Sequence, residues 1–314
     1  MQNGRQQRKQ QKSSSSKYDF VKVRVHLSDQ HYYVLSRFLL SRMLTAARVD
    51  YGHALRIALD LKKRLVDKNQ LDVAQQELQR ELFALMKQHG YGDEHVQWYR
   101  TLESFHHQRI PLVVLIAGTA STGKSTIATS LSERLNLSSV LKTDVVYDLM
   151  HTVIDGKLPP RLWSLPGDDE DGSTDFIDTL VKESKLVCQG LDGDLYKSMT
   201  DGKSIIIEGS LVDHGLLDHM DRFVSMQNKG VIVAPFLVTL SEPTLRSLLS
   251  QEESTCINRI CEYQSHLVEA NAKREQQQQR TFHVLSVDMS DIQTTINAMQ
   301  SIVLTQIAAQ VAKQ

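Results

Sequence analysis

Gly118-Thr119-Ala120-Ser121-Thr122-Gly123-Lys124-Ser125 is the stretch on which the reading of this 314-residue chain turns. It satisfies the pattern G-x-x-x-x-G-K-[ST] at every position, the signature of a loop that wraps nucleotide phosphates. Glycines let the backbone curl until successive N–H groups converge on an anion, and the helix that follows adds the positive end of its dipole. In such a loop Lys124 reaches the β- and γ-phosphates, and the Ser125 hydroxyl takes one coordination position on Mg²⁺. The expected binding set is Gly118, Thr119, Ala120, Ser121, Thr122, Gly123, Lys124, Ser125 and Thr126, with a nucleoside triphosphate as ligand.

The flanks have the character this loop requires. Leu112 to Ala117 is an unbroken apolar, β-branched-rich run, as a strand covered on both faces needs, and Ile127, Leu131 and Leu135 recur at helical spacing behind the loop. From Arg109 onward strands and helices alternate, which predicts a parallel sheet with helices on both faces. The expected strands after the first are one ending near Asp144, then Ser204 to Glu208, Val231 to Leu240 and Thr281 to Val287. A helix is expected from Leu141-Lys142-Thr143-Asp144 through Met150, an irregular segment over 155–175, and a long helix with Phe176, Leu180, Val187, Leu191 and Leu195 on one stripe. A closing helix carries Ile292, Ile296, Met299 and Val303.

Upstream the pattern differs. Residues 1–17 are rich in Gln, Arg, Lys and Ser and read as a disordered basic tail, whose charges Arg5, Arg8, Lys9, Lys12 and Lys17 offer no more than weak RNA-sticking or nuclear-import chemistry. Residues 18–108 read as a small helical domain after a strand-like Phe20 to Val25. Its apolar positions are Val34, Leu35, Phe38 and Leu39 in one helix; Leu55, Ala58, Leu61 and Leu65 in the next; Leu78, Leu82, Leu85 and Met86 in a third; and Val96, Tyr99 and Leu102 in a fourth. The α/β part occupies 109–314.

Composition is that of an ordinary globular protein, with 41% hydrophobic and 23% charged residues and a net charge of −1, so no global field recruits nucleic acid or membrane. The longest apolar stretch, Val231 to Leu240, carries Pro235 and falls well short of the ~18 residues that span a bilayer. The first residues have no secretory-signal pattern, so the cytoplasm is the expected compartment, with the nucleus left open. Cys188, Cys256 and Cys261 form no C-x-x-C pair, which argues for reduced thiols rather than a disulfide or zinc framework.

In sheets of this kind ligands bind beyond the carboxyl ends of the strands. Asp144 and Glu208 each follow an apolar strand, and a carboxylate there either holds Mg²⁺ through water or aligns the attacking nucleophile. Asp144 is assigned to the acceptor hydroxyl and Glu208, with Ser125, to the metal shell, although the two carboxylates could exchange roles. Lys124 supplies charge neutralisation, with Arg246 and Arg259 as candidate lid arginines and Arg161, in the irregular segment, as a candidate grip on an anionic acceptor. His106-His107 lacks a third ligand at useful spacing, and the Asp168 to Asp171 run reads as a solvated loop.

The stretch Lys17 to Met150 resembles the eukaryotic low-phytic-acid P-loop proteins, themselves similar to archaeal 2-phosphoglycerate kinase. The resemblance is carried by Lys17-Tyr18-Asp19-Phe20-Val21-Lys22-Val23, by 32–44, by Phe105-His106-His107-Gln108-Arg109 and by the phosphate loop, and it continues through Ser204 to Gly209 and Ile257 to Leu267. It implies an ATP-cone-like module over 18–108, with Lys22 and Arg24 near a nucleotide. For 109–314 it implies a five-stranded P-loop kinase domain that uses ATP and Mg²⁺ to phosphorylate a hydroxyl of a small phosphorylated metabolite, 2-phosphoglycerate-like or related to inositol phosphates. Where relatives follow the Glu-Gly pair with a histidine two residues on, this chain has Ser210-Leu211-Val212-Asp213-His214, and the segment after the fourth strand is short and poor in arginine. The partners expected are therefore ATP and a small anionic metabolite, with homo-oligomerisation left open. A second reading is a regulatory NTPase that hydrolyses ATP to control a protein partner.

Overall fold

The structure, a computed structural model, describes residues 17–165, 175–226, 230–249 and 256–313. The basic-tail reading (except Lys17) and the acidic run Asp168 to Asp171 lie outside the described residues. Two compact units divide between Gln97 and Trp98.

In the first unit, α1 (Lys17–Phe20) precedes β1 (Arg24–Ser28) and β2 (His31–Val34), followed by α2 (Arg37–Ala46), α3 (Tyr51–Asp67), β3 (Asp72–Ala74), α4 (Gln75–Gln88) and α5 (Asp93–Gln108), within which the division falls. A three-stranded sheet of order β2-β1-β3 accompanies the helices, with β1 antiparallel to β2 and parallel to β3. The strand expected over Phe20 to Val25 is thus displaced to Arg24–Ser28. Val34 closes a strand instead of opening a helix, because the Ser36 side chain caps α2 by accepting from Leu39 N at 3.3 Å. The buried face of α2 also differs from the expected one: Leu40 and Leu44 are buried, whereas Phe38 and Leu39 are exposed. Leu55 is likewise exposed, its place in the core taken by Ala54 and Ile57. Arg24 pairs with Asp72 at 3.6 Å and lies over the Tyr32 ring.

The second unit is built on five parallel strands in the order β5-β6-β4-β7-β8. They are β4 (Leu112–Ala117), β5 (Val140–Lys142), β6 (Ile205–Gly209), β7 (Ile232–Thr239) and β8 (His283–Ser286). Every residue of the central strand β4 is buried, as its uniform apolar sequence predicts. Pro235 fits within β7 because pairing with β8 begins only at Phe236, so the missing N–H falls where β7 has a single neighbour. Helices α6 (Lys124–Arg134), α7 (Thr143–Asp155), α8 (Phe176–Asp201), α9 (His214–Met226), α10 (Glu242–Leu248), α11 (Ile257–Gln276) and α12 (Ile292–Val311) complete the unit. Phe176, Leu180, Val187, Leu191 and Leu195 all face the core from α8.

One expectation is corrected here. Asp144 does not end a strand: β5 stops at Lys142, and Asp144 occupies the first turn of α7, which runs past Met150 to a left-handed Gly156 at φ 68°. An acid in the first turn favours the helix through its dipole, which outweighs the β preference of the Val145-Val146 pair behind it.

His151 ties α7 to α8. Its Nε2 lies 2.7 Å from Glu183 and its Nδ1 3.0 Å from Asp155. Burial disfavours the imidazolium, but the hydrogen bonds to Glu183 and Asp155 outweigh it and raise the pKa above the ordinary histidine value. The charged form is therefore favoured by folding, so its stabilisation is complete below about pH 6.5 and is lost as pH rises through the raised folded value. Thermal melts of His151→Ala are expected to show a larger deficit against the unaltered protein at about pH 5.5 than at about pH 9.

Candidate active site

The loop between β4 and α6 sits at the carboxyl edge of the sheet, where strand order reverses between β6, β4 and β7. Gly118, Thr119, Ala120, Thr122 and Lys124 are buried, while Ser125 and Thr126 are exposed on the first turn of α6. The curl is held from inside: the Thr122 hydroxyl donates to the Thr119 carbonyl at 2.9 Å, and the Lys124 ammonium donates to the same carbonyl. Ser121 takes a left-handed φ of 58°, strain accepted to keep the loop tight. The turn before α12 closes the far side, since a Cβ on Gly123 would come 3.2 Å from Ile292 Cδ1. Asp288 shapes that turn by accepting from Ser290 N at 2.8 Å.

Glu208 is 3% exposed and reaches α6 from the neighbouring strand, accepting a 2.6 Å hydrogen bond from the Ser125 hydroxyl. Ser125 and Glu208, separated in sequence by 83 positions, thus form one oxygen-only donor set. Hydroxyl and carboxylate oxygens are the donors that a hard cation such as Mg²⁺ takes. Strand register sets Glu208 opposite Lys142 of β5, so Thr143 follows directly beside Gly209. The Thr143 hydroxyl is fully buried without a hydrogen-bond partner and lies against the Gly209 Cα.

Asp144, next along, opens onto a cavity of about 550 Å³. Asp144, Tyr147 and Asp148 of α7 form one wall, and Leu158, Pro159, Pro160, Arg161, Leu162, Trp163 and Ser164 another, with Ser210, Leu211 and Cys256 completing it. Residues 162–164 form a single 3₁₀ turn, anchored where Trp163 packs on the buried Tyr263 of α11 with centroids 6.0 Å apart. Arg259 donates to the Leu165 carbonyl at 2.9 Å and stacks over Phe176. Tyr147 donates to the Pro160 carbonyl at 3.2 Å; burial, reinforced by the Glu183 and Asp148 charges, raises its phenol pKa well above the usual value and keeps it protonated.

The structure brings Ser125, next to Lys124 in the loop, into contact with Glu208, and places Asp144 in the cavity wall one residue on from the Thr143–Gly209 contact. Of the other cations, Arg161 joins Asp144 in the cavity wall, whereas Arg246 forks onto Glu242 at 2.7 Å and Arg259 is committed to the 3₁₀ turn. His106 and His107 end α5, before the start of β4, whereas the loop follows its end. His214 packs on Phe282 and Asn271, and burial lowers its pKa to about 4. Sequence reasoning missed Asp148, Tyr147 and Trp163; the four-residue spacing of Asp144 and Asp148, which puts both on one helical face, was the available signal.

A phosphate loop on the central strand of a five-stranded parallel sheet, with a buried carboxylate from the adjacent strand on its serine, defines a P-loop kinase domain. No family model matches the chain. Curated relatives do: the 2-phosphoglycerate kinase of Methanococcus maripaludis is 27% identical over 220 residues, covering 65% of this chain and 68% of the relative. That of Methanocaldococcus jannaschii is 31% identical over 185 residues (56% and 58%), and that of Thermococcus kodakarensis 27% over 252 (74% and 83%). Among solved structures, a gluconokinase from Sinorhizobium meliloti aligns with 66% of this chain and 98% of its own at 12% identity and a TM-score of 0.37. A shikimate kinase from Acinetobacter baumannii aligns with 64% and 97% at 11% identity and 0.37. No helix among the described residues is long and apolar enough to cross a membrane.

The apposition of Thr143 and Gly209 is a sharp steric constraint. Gly209 has φ 149°, and a Cβ there would overlap the Thr143 hydroxyl oxygen. Gly209→Ala is expected to cost roughly 2–3 kcal/mol in denaturant unfolding. The Gly209→Ala/Thr143→Ala double variant should recover part of it, because the overlapping oxygen is gone.

Proposed function

We propose that this chain transfers the γ-phosphoryl group of ATP to a hydroxyl of a small metabolite seated in the cavity beside Asp144. The observation that carries the reading is the 2.6 Å contact of Ser125 and Glu208, which puts a hydroxyl and a buried carboxylate at the mouth of the phosphate loop within one residue of the cavity wall. Loop amides and Lys124 bind the β- and γ-phosphates, and Met289 and Ile292 offer an apolar bed for the base. Ser125 and Glu208 would hold Mg²⁺, directly and through water; when bound, it neutralises charge on the phosphate oxygens.

Burial separates the two carboxylates by role. Glu208 is enclosed against Ser125, whereas Asp144 is exposed on the cavity side of α7 and can meet a substrate. The acceptor oxygen bonds to the γ-phosphorus as the bond from that phosphorus to the β–γ bridging oxygen breaks. ADP leaves, and the hydroxyl proton passes to the Asp144 carboxylate.

The relatives' name supports an acceptor of the 2-phosphoglycerate kind, and the resemblance over Lys17 to Met150 supports one related to inositol phosphates. On that same resemblance the unit over 18–108 is read as an ATP-cone-like nucleotide sensor. A regulatory NTPase is the second reading, favoured by the commitment of Arg246 and Arg259 to contacts within the protein, which leaves fewer cations to close over the phosphates.

Lys124→Ala is expected to lower kcat by roughly 10²–10³. Glu208→Gln should raise the Mg²⁺ concentration needed for half-maximal turnover, with little change in the KM for the acceptor. Steady-state kinetics with ATP and a mixed acceptor pool checks both. ATP turnover that no acceptor stimulates would favour the regulatory reading.

A further inference from the structure

A second cavity, of about 200 Å³, lies at the opposite edge of the parallel sheet, where the chain enters β4, β5 and β6. Three helix ends feed it. Arg109 comes just past α5, Asn136 past α6 and Gly202 past α8, each with a left-handed φ, of 50°, 55° and 64°. These ends are closed by their own backbone: Ile110 N donates to the Phe105 carbonyl at 3.4 Å, Leu137 N to that of Ser132 at 2.8 Å and Lys203 N to that of Ser198 at 2.8 Å. The polar side chains of the lining are His106, Arg109, Asn136, Ser138, Lys203 and Ser204, and its described residues include no carboxylate.

Packing forces two of these cations together. A Cβ on Gly202 would run into the Arg109 carbonyl, so the two turns touch backbone to backbone, and Lys203 is the next residue. The Ser198 hydroxyl donates to the Lys203 carbonyl at 2.7 Å and fixes that turn. The carboxylates nearest in sequence, Glu103, Glu133 and Asp201, stand outside the lining, and Asp201 pairs with Lys203 at 2.9 Å. Lys203 above all, then Lys197 and Arg109, hold the Asp201 carboxyl below the usual range, so three cations act on one exposed acid. His106 adds hydrogen bonding and no charge near neutral pH, because loss of water around its ring, and then the His107 charge, lower its pKa.

We infer that this cavity is a second anion site, which takes the phosphate group of a small ligand. The phosphate loop follows the carboxyl end of β4, whereas the cavity precedes its amino end, about 20 Å away along a strand of 6 residues. Arg109 and Lys203 supply charge-assisted hydrogen bonds, and Asn136, Ser138 and Ser204 supply neutral ones, a donor set that matches phosphate oxygens. A volume below the ~300 Å³ of ordinary small-molecule pockets admits a phosphate head and no whole nucleotide. Free phosphate and a phosphomonoester share this chemistry. The inference is independent of the kinase reading.

The imidazole resonances of His106 in the full-length protein, assigned by their loss in His106→Gln, are followed by NMR near neutral pH as inorganic phosphate or glycerol 3-phosphate is added. A saturable shift with a Kd of roughly 1–10 mM is expected for at least one of them, and the tighter of the two names the source of the phosphate group. Arg109→Gln/Lys203→Gln should weaken binding about tenfold or more, with an unchanged melting temperature as the folding control. Lys203→Gln alone, at a side chain 63% exposed, should act in the same direction, and Arg109→Lys, which keeps the charge, should retain a saturable shift. Lys124→Ala should leave the shift in place. No shift with either probe, an equal shift from sodium chloride at the same ionic strength, or a shift that survives Arg109→Gln/Lys203→Gln overturns the inference while the kinase reading stands. A shift lost in Lys124→Ala assigns the anion to the phosphate loop and overturns it as well.

Discussion

A buried carboxylate needs a donor, and Glu208 finds one in the Ser125 hydroxyl. That hydrogen bond joins β6 to the first turn of α6, two elements that meet because α6 follows β4 in the chain and β4 lies beside β6 in the sheet. From it the rest of the site is set by register. Glu208 stands opposite Ile116 on one side and Lys142 on the other, so the loop after β4 and the helix after β5 are held at one level of the sheet edge. Thr143 then falls against Gly209, and Asp144 is delivered to the cavity.

The cavity itself is made by elements that have no part in phosphate binding. Tyr147 pins the proline segment through Pro160, His151 fixes α7 on α8, and α11 draws in the 3₁₀ turn through Tyr263 and Arg259. The Tyr263 hydroxyl, fully buried, donates to the Ser210 carbonyl at 3.0 Å and so holds the other rim as well. One helix therefore braces both walls, and the shape of the cavity depends on its packing.

The segment after Glu208-Gly209, where no histidine stands two residues on, has a structural role here. Asp213 accepts from Leu216 N at 3.0 Å and caps α9, and burial raises its carboxyl pKa. His214 is turned into packing against Phe282. A histidine moved a few positions along a strand-to-helix connection ends in a different environment, because the chain turns through the sheet edge within that span and each residue faces a new direction.

The amino-acid sequence by itself determined the phosphate loop and its flanking elements, the five parallel strands, the stripe along α8 and the identity of Glu208 as a strand-end carboxylate. Each is written in local signals: periodicity, an apolar run, or a motif whose geometry is internal to a few residues. It misplaced Asp144 and the start of α2, because helix boundaries turn on caps and dipoles worth about 1 kcal/mol or less, which neighbouring propensities mask. Strand order, the Ser125–Glu208 contact and the cavity were decided by tertiary structure alone. These join residues far apart in the chain, 83 positions in the case of Ser125 and Glu208, whose proximity follows from register between non-consecutive strands, a quantity that no single stretch of chain encodes.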